Sequence, residues 1–89
     1  MKPLEWNSEK NSKLIEERGF SFEDIQIAIE EGGLIDVIQH SNPNRYPAQW
    51  ILLVAMEKYI HAVPCVEKEN CWFLKTAYPS RKFTKKYTH

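Results

Sequence analysis

The spacing of apolar residues changes at Gly32 and Gly33, and this change limits the folds that the chain can adopt. Before it, apolar residues such as Phe22, Ile25 and Ile29 recur at helical spacing. After it, short apolar runs are separated by turn-forming residues, which is typical of strands. Helices followed by strands predict an α+β fold, in which two N-terminal helices pack on one face of a four-stranded, mainly antiparallel sheet.

Local signals predict where the two helices begin and end. The first is expected from Ser8 to Arg18, and either Asn7 or Ser8 is a suitable N-cap. Gly19 ends this helix, because glycine readily adopts a left-handed conformation. The second helix is predicted to begin after Ser21 and to end at the glycine pair, and its apolar face is interpreted as core packing.

Four strands are predicted after the glycine pair, at residues 34–38, 50–56, 59–66 and 71–78. A loop rich in proline and asparagine joins the first two, and short turns at residues 57–58 and 67–70 join the others. Pro64 has no N–H donor and predicts a bulge or an edge in the third strand. Before the helices, residues 3–6 are either a short edge strand or an apolar lead-in.

Pairing of the last two strands places one histidine near other polar side chains. If Val66 lies opposite Cys71, then His61 lies opposite Thr76, on the same side of the sheet as two tyrosines, Tyr59 and Tyr78. A histidine in this position is a candidate general acid or base. The alternative is a partly buried strand residue that is hydrogen-bonded to a neighbour.

The length of 89 residues predicts a single domain over residues 1–89. The longest apolar run, residues 50–56, is much shorter than the ~20 residues of a membrane span, and the first residues do not resemble a secretory signal. These features predict a cytoplasmic protein with no membrane partner. Cys65 and Cys71 are expected to be free thiols, with a disulfide as the alternative. No metal-ligand spacing is present, so neither a metal nor another cofactor is predicted.

The two parts of the chain differ in charge although the whole chain is neutral. Residues 1–39 hold four cations and nine anions, a net charge of −5, and residues 40–89 hold eight cations and three anions, a net charge of +5. This asymmetry predicts an end that binds a polyanion and an acidic flank. Alternatively, the two parts neutralise each other across the fold.

The positive charge is densest near the end of the chain. A basic helix is predicted after Ser80, its N-cap, and it carries Arg81, Lys82, Lys85, Lys86 and Tyr87. Such a cluster suits a phosphate backbone, together with Lys75 in the preceding strand. In the proline-rich loop, Arg45 and Tyr46 offer a guanidinium for phosphate and a ring for base stacking. The alternative for the C-terminal cluster is a solubilising basic tail. The alternative for the loop is a turn with an exposed arginine.

Two parts of the sequence resemble toxins of the BrnT type. Residues 4–7, 10–11 and 18–23 (LEWN, KN and RGFSFE) are similar to the beginning of these toxins. Residues 79–82 (PSRK), followed by Thr84 and Tyr87, are similar to the Ser-Ala-Arg-Lys-Ala-Thr stretch of the family. A departure is Pro79, which stands where the family usually has the serine.

The resemblance implies a RelE-like fold and a type II toxin that cleaves mRNA, either free or bound to the ribosome, and so inhibits translation. It also implies a cognate antitoxin, typically a ribbon-helix-helix DNA-binding protein. Carried over by position, the cleavage residues are Arg81 and Lys82 first, with less support for Lys75, Lys85, Lys86 and Tyr87.

Two alternative functions, which belong to different classes, are therefore candidates. The first is a metal-independent endoribonuclease in which a 2′-hydroxyl attacks the adjacent phosphate, with Arg81, Lys82 and His61 as catalytic residues. The second is a non-catalytic module of the same fold that binds nucleic acid or an acidic protein. A docking face for a protein on the acidic N-terminal helices is compatible with either.

Overall fold

A computed structural model describes residues 1–88 as a six-stranded sheet with three helices. In chain order the elements are β1 (Leu4–Trp6), α1 (Ser8–Arg18), α2 (Phe22–Glu30), β2 (Leu34–Gln39), β3 (Gln49–Met56), β4 (Tyr59–Glu67), β5 (Trp72–Leu74), β6 (Tyr78–Pro79) and α3 (Arg81–Thr88). Among the helices of this part of the chain, none combines the length and the apolar character that crossing a membrane requires.

The sheet order is β1-β5-β4-β3-β2, and β6 pairs with β4 beyond the end of β5. All pairs are antiparallel except the parallel pair of β1 and β5. The predicted α+β class and mainly antiparallel sheet are confirmed. The sheet has six strands instead of four, because residues 4–6 form an edge strand and the last predicted strand is divided in two.

Pro64 explains the division of the last strand. Its carbonyl oxygen faces that strand and accepts a hydrogen bond from the N–H of Lys75 at 2.9 Å. Because proline has no N–H, β4 cannot return a second bond at this position. Pairing stops over residues 75–77 and resumes with a changed register in β6.

The predicted register of the last strands is wrong, because Val66 lies opposite Phe73 and not Cys71, and the register changes again between β5 and β6. His61 lies opposite Pro79 and not Thr76, and Tyr78 lies opposite Ala62. Since adjacent residues of a strand point to opposite faces, Tyr78 does not share a face with His61.

The predicted ends of the first helix are confirmed, and local contacts explain them. The side-chain oxygen of Asn7 accepts from the N–H of Lys10 at 3.0 Å, so Asn7 is the N-cap of α1. Gly19 follows α1 with φ 79°, a conformation that glycine adopts without a steric penalty.

The two faces of the sheet are covered by different helices. On one face, as predicted, α1 and α2 bury Leu14, Phe22 and Ile25 against apolar side chains of β3, β4 and β5. On the other face, Phe83 of α3 packs on a smaller cluster that contains Ile60. The start of α3 therefore packs on β4, on the face of the sheet opposite α1 and α2.

Both cysteines are free and buried, as expected from the sequence. Burial raises the pKa of the Cys65 thiol to about 12, so this side chain stays protonated at neutral pH. Its Sγ lies 3.6 Å from the carbonyl oxygen of Trp50, within reach of a weak S–H hydrogen bond. A thiolate nucleophile at this position is therefore excluded.

Candidate functional site

A cavity of about 450 Å³ lies between the end of α1, the turn after β3, strand β4 and the start of α3. We call it the His61 cavity. It is lined by Glu17, Arg18, Phe20, Glu57, Tyr59, His61, Pro79 and Arg81. The fold thus brings together His61 and Arg81, two of the three residues predicted to be catalytic.

His61 is held by the backbone and by one aromatic ring. It is 5% exposed, its Nδ1 lies 3.3 Å from the carbonyl oxygen of Tyr59, and its ring packs edge-on against Phe20 with centroids 5.0 Å apart. A carbonyl oxygen can only accept, so Nδ1 carries the proton of this hydrogen bond. In the neutral ring, Nε2 therefore keeps a lone pair that can take a proton.

Burial lowers the pKa of His61 below its ordinary value of 6.5. The hydrogen bond to Tyr59 and the charge of Glu57 act in the opposite direction but do not cancel this effect. His61 is consequently neutral at pH 7, which is the protonation state that a general base requires.

Arg81 is positioned by the way in which α3 begins. The N–H of Ser80 donates to the carbonyl oxygen of Ile60 at 2.9 Å, and the Ser80 hydroxyl oxygen accepts from the N–H of Phe83 at 3.2 Å. The hydroxyl oxygen of Thr84 accepts from the N–H of Ile60 at 2.8 Å. These contacts confirm Ser80 as the N-cap and tie the first turn of α3 to β4, with the exposed Arg81 at the cavity.

The rest of the basic cluster lies along α3, outside the His61 cavity. Lys82, predicted to be catalytic beside Arg81, is exposed, and its Nζ lies 5.5 Å from the ring centroid of Phe83. Lys85 and Lys86 are also exposed. These lysines form a basic surface that follows the helix.

Tyr87 lies on the side of the sheet formed by β2. Its hydroxyl donates to a carboxylate oxygen of Asp36 at 3.2 Å. Desolvation, together with the hydrogen bond to Asp36 and its negative charge, raises the pKa of Tyr87. This predicted RNA-binding residue therefore contacts β2 and does not line the His61 cavity.

The remaining predicted residues lie at the other end of the sheet. The Arg45 guanidinium is 5.5 Å from the ring centroid of Tyr46, and the Tyr46 ring is 4.6 Å from that of His40. Lys75 lines a second cavity of about 430 Å³, the His40 cavity, which is lined by His40, Gln49, Trp50, Ile51, Pro64, Cys65, Val66 and Lys75. The Nζ of Lys75 is 5.6 Å from the ring centroid of Phe73. The structure does not bring Arg45, Tyr46 or Lys75 to the His61 cavity.

Arg18 and Glu57 also line the His61 cavity, although the sequence indicates no functional role for either residue. Arg18 ends a helix, and Glu57 begins a two-residue turn in which both residues have positive φ angles. Neither position carries a sequence signal for a site, since they meet His61 only through the tertiary fold.

Comparison of the chain with protein-family models, with curated proteins and with solved structures found no match. Within residues 1–88, no three histidine, cysteine or acidic side chains are grouped so that they could hold a metal ion.

Proposed function

We propose that the chain is an endoribonuclease toxin of the BrnT type, with a RelE-like fold, that inhibits translation by cleaving mRNA. The observation that carries this proposal is that His61 and Arg81 line one cavity, although β5 and β6 separate them in the chain. A neutral imidazole and a guanidinium are the two groups that cleavage of an RNA phosphodiester needs most.

In the proposed reaction, Nε2 of His61 takes the proton of a ribose 2′-hydroxyl while the oxygen attacks the adjacent phosphorus. The bond from phosphorus to the 5′-oxygen of the next nucleotide breaks, and this oxygen takes a proton from water. The products are a 2′,3′-cyclic phosphate and a 5′-hydroxyl. Arg81 stabilises the negative charge that develops on the phosphoryl oxygens, so the reaction needs no metal ion.

The lysines of α3 have a different part in this proposal. Lys82, Lys85 and Lys86 hold the RNA backbone next to the cavity, because exposed lysines bind phosphates without regard to sequence. Tyr59, which is 48% exposed and lines the cavity, offers a ring on which an unpaired base can stack.

As a toxin of this type, the chain acts in the cytoplasm, where translated mRNA is found. It pairs with an antitoxin that carries a ribbon-helix-helix DNA-binding domain. A basic surface on α3 suits an acidic segment of such an antitoxin, since opposite potentials favour association.

The proposal is tested by primer extension on RNA from cells that express the chain or its Arg81→Ala variant. We expect new cleavage ends with the parent chain and none with the variant, because loss of one charge-stabilising donor lowers the rate by about 10²–10³. Intact RNA in both cultures, with both proteins folded, would contradict the enzymatic function.

A second candidate function is a non-catalytic module that binds nucleic acid or an acidic protein. The separation of the lysines from the His61 cavity favours it, because a binding surface on α3 needs no contribution from His61. In that case Arg81→Ala weakens binding only in proportion to the lost charge, and His61→Gln has no effect.

A further inference from the structure

Arg18 lines the His61 cavity, and local contacts fix its backbone. It is the last residue of α1, and Gly19 follows with φ 79° and donates its N–H to the carbonyl oxygen of Ile15 at 2.9 Å. The next residue, Phe20, is 8% exposed and packs against the ring of His61. These consecutive residues therefore hold an arginine beside the histidine that the proposed reaction uses as its base.

Arg18 and Arg81 both have unused hydrogen-bond donors. Among the residues that the structure describes, neither guanidinium takes part in an ion pair, a hydrogen bond or a ring contact. They come from different elements, the end of α1 and the start of α3, and line the same cavity. A guanidinium presents a planar fork of N–H groups that matches two phosphate oxygens, so the pair suits an oxyanion.

Glu17 and Glu57 line the same cavity and limit the charge of the ligand it accepts. The two carboxylates balance the charge of the two guanidinium groups, and His61 is neutral. A second negative charge on a ligand would therefore be attracted only weakly by the cavity, while it would raise the free energy needed to remove water from the ligand. A phosphodiester carries a single negative charge, whereas a phosphomonoester carries about 1.5–2 at pH 7. The cavity should therefore select an internal phosphodiester over a terminal phosphate.

We infer that Arg18 contacts the substrate together with Arg81, and that both donate to the non-bridging oxygens of one internal phosphodiester in single-stranded RNA. The inference rests on the proposed function for the identity of the ligand. Beyond the proposed function, the inference assigns substrate contact to a second arginine. It also gives Glu17 and Glu57 a role, the selection of a phosphate with a single negative charge. An internal linkage must enter a concave site, which an unpaired strand does more readily than a duplex.

The test uses the full chain and a dinucleoside monophosphate in which hydrogen replaces the attacking 2′-hydroxyl, so that it binds but cannot be cleaved. NMR titration of the His61 ring signals measures Kd for the parent chain, Arg18→Gln and the control Lys13→Gln. We expect Arg18→Gln to raise Kd about tenfold or more, because charge-assisted bonds are lost. The control removes an exposed cation of the same helix that does not line the cavity, and it should change Kd by less than about twofold. No binding by the parent chain, or equal effects of the two variants, would overturn the inference.

Charge selection gives a readout that a merely structural role of Arg18 would not produce. The parent chain should bind the dinucleotide more tightly than a nucleoside 5′-monophosphate. Glu57→Gln should narrow this difference by raising the affinity for the monophosphate severalfold, since one repulsive charge is removed. A parent chain that binds the two ligands equally would contradict the inference.

Arg18→Lys keeps the positive charge at the end of α1 and serves as the folding control. It should retain the Tm of the parent chain and lose part of the affinity, because an ammonium cannot form two parallel bonds. RNA cleavage is measured separately from binding. If the parent chain binds the dinucleotide through Arg18 but cuts no RNA, the proposed function fails and the site stands. If the parent chain and Arg18→Gln cut RNA equally, the proposed function stands and the inference fails.

Discussion

The two ends of the sheet carry the same kinds of side chain in different arrangements. Each end has a histidine, a tyrosine and an arginine: His61, Tyr59 and Arg81 at one end, and His40, Tyr46 and Arg45 at the other. At the His61 end, the backbone holds the histidine, and the arginine lies at a cavity without a protein partner among the described residues.

At the His40 end, the three side chains contact one another. The Nδ1 of His40 accepts from the N–H of Asn42 at 3.0 Å, the Tyr46 ring lies on His40, and Arg45 lies over Tyr46. These contacts link the three side chains to one another within and beside the loop after β2. Residue types therefore indicate candidates for a site, and the partners of each side chain distinguish the two ends.

The largest difference between the ends is expected for the two histidines. His61→Gln should lower the rate of RNA cleavage by about 10²–10⁴, the usual contribution of a general base. His40→Gln, the matched control, should leave the rate within about twofold, since the proposed reaction does not use it. Single-turnover cleavage of an RNA oligonucleotide measures both rates, and equal losses would remove the distinction between the ends.

The pH dependence of cleavage sharpens the same comparison. A base must be unprotonated, so the rate should fall as the pH falls through the pKa of His61, by up to about tenfold for each pH unit. Because burial lowers this pKa, the midpoint should lie below the ordinary value of 6.5. His40→Gln should keep this profile. A midpoint above 6.5, or a flat profile, would argue against His61 as the base.

The surface of α3 should have an intermediate effect. Lys82 and Lys86 are exposed and lie outside the His61 cavity, so replacing both with glutamine should weaken RNA binding and reduce its salt dependence. For single-stranded RNA, each lost phosphate contact should reduce the magnitude of the negative slope of log K against log salt by about 0.7. Fluorescence anisotropy at several salt concentrations measures this slope. An unchanged slope would mean that RNA does not contact these lysines.

The smallest effect is expected at the turn beside the His61 cavity. Glu57 and Lys58 have φ angles of 53° and 71°, in the left-handed region where glycine is favoured. Lys58→Gly should raise the free energy of unfolding by about 0.5–1 kcal/mol, since the steric penalty of the left-handed conformation exceeds the added chain entropy. Chemical denaturation measures the change. Lys58 does not line the cavity, so cleavage should stay within about twofold.

Local signals in the sequence predict most of the elements but not how the last strands pair. The ends of α1 follow from capping residues that act on their own neighbours, and the turn at residues 57–58 follows from a polar break between two apolar runs. The last strand was predicted as continuous, whereas the missing N–H of Pro64 on the opposite strand divides it. This effect acts across the sheet, and the sequence of the last strand alone does not contain it.

The candidate site was predicted in parts. Arg81 and His61 were each identified from residue type and position, but the predicted register placed His61 beside Thr76 and Tyr78. Arg18 and Glu57 reach the cavity through the packing of Phe20 on His61 and the turn after β3. Contacts between residues that are distant in the sequence depend on tertiary structure, so a sequence pattern does not reveal them.

The central claim is that RNA is cleaved in the His61 cavity, and a comparison of two arginines tests it most directly. The rate of cleavage of one RNA oligonucleotide would be measured for Arg81→Gln and Arg45→Gln, with both variants shown to be folded. The account predicts a loss of about 10²–10³ for Arg81→Gln and less than about twofold for Arg45→Gln. Equal rates in the two variants and the parent chain, or a larger loss in Arg45→Gln, would contradict it.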